Sequence, residues 1–214
     1  MIEASPSLWT LTAGLAGTGL GAALNARVFS ASPDLARLRP RLIACAIGVL
    51  ISALAWLAAI QLSEARGLAF AASLAGASAF GAALSDWLDG EVSDWHSAAI
   101  FVSALIAAPS LHPVLTWPLT LVGAILGFAV LWLAGWLYHR SRGERGIGQG
   151  DYGLAAAGGA WVGAGLVGPA LLIAVAATAL TAWIRRVGAR ERIAFAPGLV
   201  AGFAGALIIE RVLR

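Results

Sequence analysis

Long apolar stretches separated by short polar segments fill nearly the whole sequence. The stretches are roughly 16 to 22 residues long, the length with which an α-helix crosses a hydrocarbon core about 30 Å thick. They predict an all-α, polytopic membrane protein of about eight spans, with no soluble domain or long linker. The predicted spans are 8–29, 42–62, 67–85, 95–111, 114–138, 152–167, 169–184 and 194–209, the sixth and seventh separated at Gly168-Pro169.

Composition supports the membrane class. The 214 residues are 60% hydrophobic and 12% charged, with a mean hydropathy of +0.85, whereas a soluble domain needs more polar surface. The first stretch follows no basic segment, so it is predicted to be a retained span rather than a cleaved signal peptide. The one cysteine, Cys45, lies in an apolar run, which excludes an intrachain disulfide and a Cys-based zinc knuckle.

The arginines predict the orientation in the membrane. Eleven of them fall in one set of loops and three in the opposite set, and the chain has no lysine. The positive-inside rule therefore places the arginine-rich loops in the cytoplasm and both termini outside. Membrane orientation also explains the net charge of +3, so no nucleic-acid partner is predicted. The eleven are Arg27, Arg37, Arg39, Arg41, Arg140, Arg142, Arg145, Arg185, Arg186, Arg190 and Arg192.

Carboxylates gather beside two predicted cytoplasmic loops. Asp86 comes at the end of the third predicted span and Asp151 at the start of the sixth. Ionised carboxylates at membrane depth are costly, and they are usually functional where they occur. Each also has an ordinary explanation: Asp151 could be a helix N-cap, and Asp86 could belong to a solvated loop.

Four segments, in order along the chain, resemble those of the type IV prepilin peptidase family. Residues 148–163, which begin GQGDYGL and end AGGAWVG, resemble its GxGD-x-K-L…GAWLG block. Asp86 followed by Val-Ser-Asp at 92–94 resembles its first motif, an aspartate and then a Leu-Pro-Asp or Ile-Pro-Asn triplet. Segments 193–199 (IAFAPGL) and 19–27 (GLGAALNAR) are similar to its Ile-Pro-Phe-Gly-Pro-x-Leu and Gly-Ser-x-Leu-Asn-Val segments.

The resemblance implies an aspartic endopeptidase of the bacterial inner membrane, needing no cofactor or metal. Its partners would be type IV pilin or pseudopilin precursors, which carry a short basic leader, a glycine before the cut and a hydrophobic helix after it. Asp89 and Glu91 are possible contacts for that leader, although a solvated loop explains them equally well. The implied catalytic pair is Asp86 and Asp151, and the supporting motif residues are Gly148, Gly150, Ser93 and Asp94.

Three departures from the family pattern bear on function. Gly153 stands where the family has a lysine, and Ser93 where it has a proline. The short segment 30–41 replaces the cysteine-rich domain to which the resemblance assigns zinc binding and N-methylation of the pilin. We therefore expect a single membrane peptidase domain, 1–214, without methyltransferase activity; another substrate or an inactive protein stays open.

Two expectations concern the local chemistry. Two close carboxylates share one proton and titrate together, and the sequence does not say which one holds it. Gly148 and Gly150 are expected to supply backbone angles closed to other residues and to let a substrate strand approach Asp151, although a flexible helix start would also use glycine. The three histidines, His96, His112 and His139, are not spaced as a metal site and are interpreted as interfacial.

Three other functions compete with this reading. A general GxGD intramembrane protease of the presenilin or signal peptide peptidase type usually has a tyrosine before its first aspartate, where this chain has Ser85. A transporter or channel would place its acids near the middle of spans. An inactive structural subunit of a secretion assembly is kept open by Gly153.

Overall fold

The computed structural model describes residues 66–111, 116–144, 146–186 and 193–213. These ranges are helical, with short connections and no strand. They contain six α-helices: α1 (Arg66–Asp89), α2 (Asp94–Leu111), α3 (Thr116–Arg142), α4 (Gln149–Val162), α5 (Val167–Arg185) and α6 (Ala196–Leu213). The first two predicted spans, segments 19–27 and 30–41, Cys45 and His112 lie outside the described residues.

The described helices confirm the all-α class. Each corresponds to one of the third to eighth predicted spans. In the described part of the chain, three segments are long and apolar enough to cross a membrane: Leu68–Asp89, Trp117–Arg142 and Ala164–Arg185. The count of eight spans and the location of the termini stay predictions.

The break between the sixth and seventh predicted spans was placed wrongly at Gly168-Pro169. The α4 helix ends at Val162, and Gly163, at φ 71°, turns the chain into a 3₁₀ turn, Ala164–Leu166. Pro169 then lies in the first turn of α5, where no intrahelical hydrogen bond requires its missing N–H. With 14 residues, α4 is about 21 Å long, shorter than the hydrocarbon core of a bilayer.

The α4 helix occupies the centre of the packing. It contacts α2, α3 and α6, while α1 packs on α2 and α6, and α5 packs on α6. Because successive helices run antiparallel, one end of the assembly collects the ends of α1, α3 and α5 and the starts of α2, α4 and α6. We call this the carboxylate end, since Asp86 and Asp151 both lie there.

Small residues bring these helices into backbone contact. A Cβ added to Gly123 or Gly127 of α3 would overlap the α4 backbone at Gly159 or Ala155, respectively. Such close approach is typical of helix packing in lipid, where small side chains maximise van der Waals contact. On the α2 side of α4, the indole N–H of Trp161 donates to the Ile100 carbonyl oxygen and to Ser103 Oγ, both at 3.1 Å.

Candidate active site

Asp86 lies in the last turn of α1 and is 9% exposed. One carboxylate oxygen, Oδ2, accepts a hydrogen bond from the backbone N–H of Ala196 at 2.8 Å. Ala196 is the first residue of α6, and the first N–H groups of a helix have no partner within it and carry partial positive charge. Asp86 is therefore a buried anchor between α1 and α6, and the solvated-loop alternative is wrong.

Asp151 is the third residue of α4 and is 7% exposed. The N-cap of this helix is Gly148, so the interpretation of Asp151 as the cap itself is also wrong. Among the described residues, Asp151 Oδ1 is buried without a hydrogen-bond partner. The pKa of Asp151 is raised to about 7, first by burial and second by the negative charge of Asp86, while a backbone hydrogen bond from Gly148 acts in the opposite direction.

The fold brings these two aspartates together from opposite halves of the described chain. The two side chains are close enough for the negative charge of Asp86 to raise the pKa of Asp151. The α6 helix organises the pair because it touches both α1 and α4. Two buried, coupled carboxylates of this kind hold fewer than two negative charges at neutral pH and can share a proton.

The two motif glycines do not supply the special backbone angles expected of them, and the approach of a substrate strand stays a prediction. The backbone of Gly148 is ordinary extended chain, at φ −67° and ψ 148°, and neither it nor Gly150 has a positive φ. Space is the constraint instead. A Cβ on Gly150 would lie 2.6 Å from the Val92 carbonyl oxygen, and one on Gly148 would lie 3.1 Å from Asp151 Oδ2. Glycine therefore leaves room for the loop before α2 next to Gly150 and for the Asp151 carboxylate next to Gly148.

The other two motif residues, Ser93 and Asp94, lie at the start of α2 and are not part of the aspartate pair. Ser93 directly precedes α2, and its carbonyl oxygen accepts the N–H of His96 at 3.0 Å. Asp94, the first residue of α2, is exposed, as are Asp89 and Glu91. These three acids form an exposed rim beside the buried carboxylates.

Gly153, in the position of the family lysine, faces α2. A Cβ there would lie 3.3 Å from Ser97 Oγ and 3.4 Å from Ser97 Cβ. The helix continues undisturbed through this residue, so the departure from the family pattern does not disrupt the start of α4.

Sequence reasoning missed three features near the site. The first is the contact of segment 193–199 with Asp86. The Ala-Pro pair of this segment indicates where a helix starts, but it does not indicate which carboxylate that helix start contacts. Another is the cation–π contact in which the Arg185 guanidinium lies 4.4 Å from the ring centre of Trp87, next to Asp86. His96 was interpreted as interfacial and is instead fully buried. Within the described ranges, no cluster of three His, Cys, Asp or Glu side chains is arranged to hold a metal ion.

The sequence relationships agree with this geometry. The family model described as the type IV leader peptidase family matches residues 73–183, just over half of the chain. The chain belongs to this family. The matched range contains both Asp86 and Asp151 and ends before the segment that opens α6.

Three relatives of this chain carry the name prepilin leader peptidase/N-methyltransferase. The protein from Burkholderia pseudomallei is 41% identical over 90 residues, which cover 40% of this chain and 29% of the relative. That from Dickeya chrysanthemi is 37% identical over 94 residues, 42% of this chain and 33% of the relative. That from Neisseria gonorrhoeae is 33% identical over 78 residues, 36% and 27% of the two chains. The match thus spans about a third of the relatives or less, and no solved structure matches the chain.

Proposed function

We propose that this protein is an aspartic endopeptidase that removes the leader from type IV pilin or pseudopilin precursors. The observation that carries the proposal is the buried, electrostatically coupled pair of Asp86 and Asp151, which lies inside the range matched by the family. Gly148 and Gly150 support the pair because they have no side chain that would collide with the Asp151 carboxylate or with Val92.

The chemistry requires one ionised and one protonated carboxyl group. The ionised member takes a proton from a water molecule, whose oxygen forms a bond to the peptide carbonyl carbon, while the protonated member gives its proton to the carbonyl oxygen. In the second step the C–N bond breaks. The nitrogen receives the proton taken from water, and a hydroxyl of the tetrahedral intermediate returns a proton to the other carboxylate. The products are a carboxylic acid and an amine, and the pair regains its starting state.

The pair is proposed to act at the cytoplasmic face of the bacterial inner membrane, in a multi-pass protein. The charge distribution supports this orientation. Arg140 and Arg142 lie in the last turn of α3, Arg185 ends α5 and Arg186 follows it, so all four lie at the carboxylate end. By the positive-inside rule, an end rich in arginine faces the cytoplasm, where the precursor's leader is located.

The exposed rim of Asp89, Glu91 and Asp94 is proposed to attract the basic leader. These acids lie beside Asp86 on the solvent-exposed side. Attraction between exposed charges weakens with salt. Neutralising Asp89 and Glu91 together should therefore lower cleavage most at low ionic strength, and an unaltered salt dependence would rule out this role.

N-methyltransferase activity is not part of the proposal, because the short segment 30–41 replaces the domain to which the family resemblance assigns it. A transporter is disfavoured because both acids lie at helix ends rather than at mid-span. A general intramembrane protease is likewise disfavoured, since Asp86 lies in the last turn of α1 instead of deep within it.

The proposal is tested by co-expressing the protein with a pilin-like precursor and following the precursor by gel shift. The wild type should shorten the precursor. The control variant Glu144→Gln, which neutralises an exposed acid after α3, should shorten it as well. Asp86→Asn and Asp151→Asn should each leave it uncut at equal protein levels. Failure of the wild type to cut several such precursors would refute the proposed substrate class, and cutting within a span would favour the general protease.

A further inference from the structure

We infer that the start of α6 makes the two aspartates unequal, so that Asp86 is the ionised member of the pair and Asp151 carries the shared proton. This inference rests on the proposed function and adds the division of roles, which the sequence leaves open. Ala196 is thereby assigned as a positioning residue that acts through its backbone N–H on Asp86.

Burial disfavours the charged form of both aspartates, but at Asp86 two backbone groups at the start of α6 act against this effect. The Ala196 N–H donates to Oδ2 at 2.8 Å, and the backbone of Phe195 also interacts with the carboxylate. A hydrogen bond from an N–H group is stronger to a carboxylate than to a neutral acid. The α6 helix has 18 residues, and the positive end of its dipole is directed at Asp86.

The order of residues at the start of α6 directs this donor to Asp86. Pro197 follows Ala196 and has no N–H, and the N–H of Leu199 is used by the Phe195 carbonyl oxygen at 3.0 Å. The amide of Ala196 precedes the first intrahelical bond, so its donation to Asp86 costs the helix nothing.

The surroundings of Asp151 favour its neutral form. Its Oδ1 is buried with no donor among the described residues, and the negative charge of Asp86 lies close enough to act on it. Burial is the largest cause of its raised pKa, the charge of Asp86 is the second, and the backbone of Gly148 acts in the opposite direction. No other charged side chain contributes among those at this end of the elements around the pair: Asp89 on α1, Glu91 between α1 and α2, Asp94 and His96 on α2, and His139, Arg140 and Arg142 on α3.

The roles in hydrolysis follow from this asymmetry. Asp86 takes the proton from the attacking water, and Asp151 donates its proton to the carbonyl oxygen. When the C–N bond breaks, Asp86 gives its proton to the leaving nitrogen and Asp151 recovers one from the tetrahedral intermediate, which restores the starting state.

Infrared difference spectroscopy of the purified protein between pH 6 and pH 8.5 tests the assignment without a substrate. Ordinary carboxyl groups are ionised throughout this interval, so a protonated C=O band lost on raising the pH reports a carboxyl group with a strongly raised pKa. We expect the band in the wild type, its absence in Asp151→Asn, and its persistence in Asp86→Asn with a lower midpoint. A band that survives Asp151→Asn and disappears in Asp86→Asn would reverse the assignment, and equal loss in both would show an evenly shared proton.

A second experiment tests Ala196 through the pH dependence of kcat/KM for precursor cleavage. Ala196→Pro removes the N–H at a helix position that tolerates proline, and Ala196→Ser keeps it. The acid limb of the profile should move to higher pH by roughly one unit in Ala196→Pro only, while the alkaline limb stays in place. A shift of the alkaline limb, or equal profiles for both variants, would overturn the role of Ala196. Because the infrared result does not depend on cleavage, an inactive wild type would contradict the proposed function alone.

Discussion

Asp86 and Asp151 are the same residue type in different surroundings. A backbone donor at a helix start contacts Asp86, while Asp151 has one oxygen buried without a donor among the described residues. The sequence points to both residues through the segments that resemble the family motifs, because a position at the end of an apolar stretch leaves ordinary explanations open. It does not show that the two carboxyl groups have different hydrogen-bond partners, because this difference depends on the packing of α6 against Asp86.

The raised pKa of Asp151 predicts a specific pH dependence of stability. Its pKa rises from about 4 in the unfolded chain to about 7 in the folded protein. The neutral acid therefore contributes stability that is fully present below about pH 4 and is lost as the pH rises to about 7. The melting temperature of Asp151→Asn should exceed that of the wild type by a margin that grows over this interval and is constant above it.

Tryptophan fluorescence of the protein in detergent provides the melting temperature. Glu144→Gln, which neutralises an exposed acid, should follow the wild type at each pH. A constant difference between Asp151→Asn and the wild type from pH 4 to pH 8 would show that Asp151 titrates normally.

Gly150 and Gly153, on the same helix, should respond differently to alanine. A Cβ on Gly150 meets the fixed backbone oxygen of Val92 at 2.6 Å, whereas one on Gly153 meets the serine side chain at 3.3 Å. Gly150→Ala should lower the cleavage rate at least about tenfold, because misplacing a catalytic group by about 1 Å is costly. Gly153→Ala should stay within about threefold of the wild type in the same assay. Comparable rates for both variants would contradict the close approach at Gly150.

The helices were predictable where hydrophobicity alone determines them. From the third predicted span on, each apolar stretch has its helix, since a chain in lipid must satisfy its backbone hydrogen bonds internally. The break at Gly163 was missed because Gly168-Pro169 is the stronger breaker in sequence, although Pro169 fits the first turn of α5. Segment 193–199 was identified as a motif, but its contact with Asp86 arises from helix packing and has no signature in the segment itself.

The contact between α3 and α4 is predicted to depend on glycine. In Gly123→Ala, the added Cβ would overlap the Gly159 carbonyl oxygen, so the helices must separate. Overpacking of this kind costs about 1–3 kcal/mol, which should lower the melting temperature by several degrees. Gly165→Ala is the matched control, because a Cβ there has no neighbour within 4 Å. Equal melting temperatures for the two variants would show that the helices are not in backbone contact.

Most of the charged residues in the described part of the chain lie at one end of the helices. The coupled aspartates, the acidic rim and the arginines at the ends of α3 and α5 lie at the carboxylate end. The opposite end of α2, at Ser110, is exposed and carries no charged side chain in its last turn. This asymmetry is the basis for placing the carboxylate end in the cytoplasm.

Cysteine labelling in intact cells tests the orientation. Cys45 is first replaced by serine, and a single cysteine is then introduced as Glu144→Cys or Ser110→Cys. A membrane-impermeant maleimide should label the second variant from outside and reach the first only after the cells are opened. The reverse pattern would place the carboxylate end outside and contradict cleavage at the cytoplasmic face.

The central claim is that Asp86 and Asp151 act as one catalytic unit, and cleavage by the purified double variant tests it most directly. Rate constants for one precursor are compared among the wild type, Asp86→Asn, Asp151→Asn and the variant with both changes. Each single change should lower kcat/KM by at least about 1000-fold, and the double change should lower it no further, since either loss disables the shared machinery. Losses that multiply in the double variant, or a single variant that retains substantial activity, would contradict the claim.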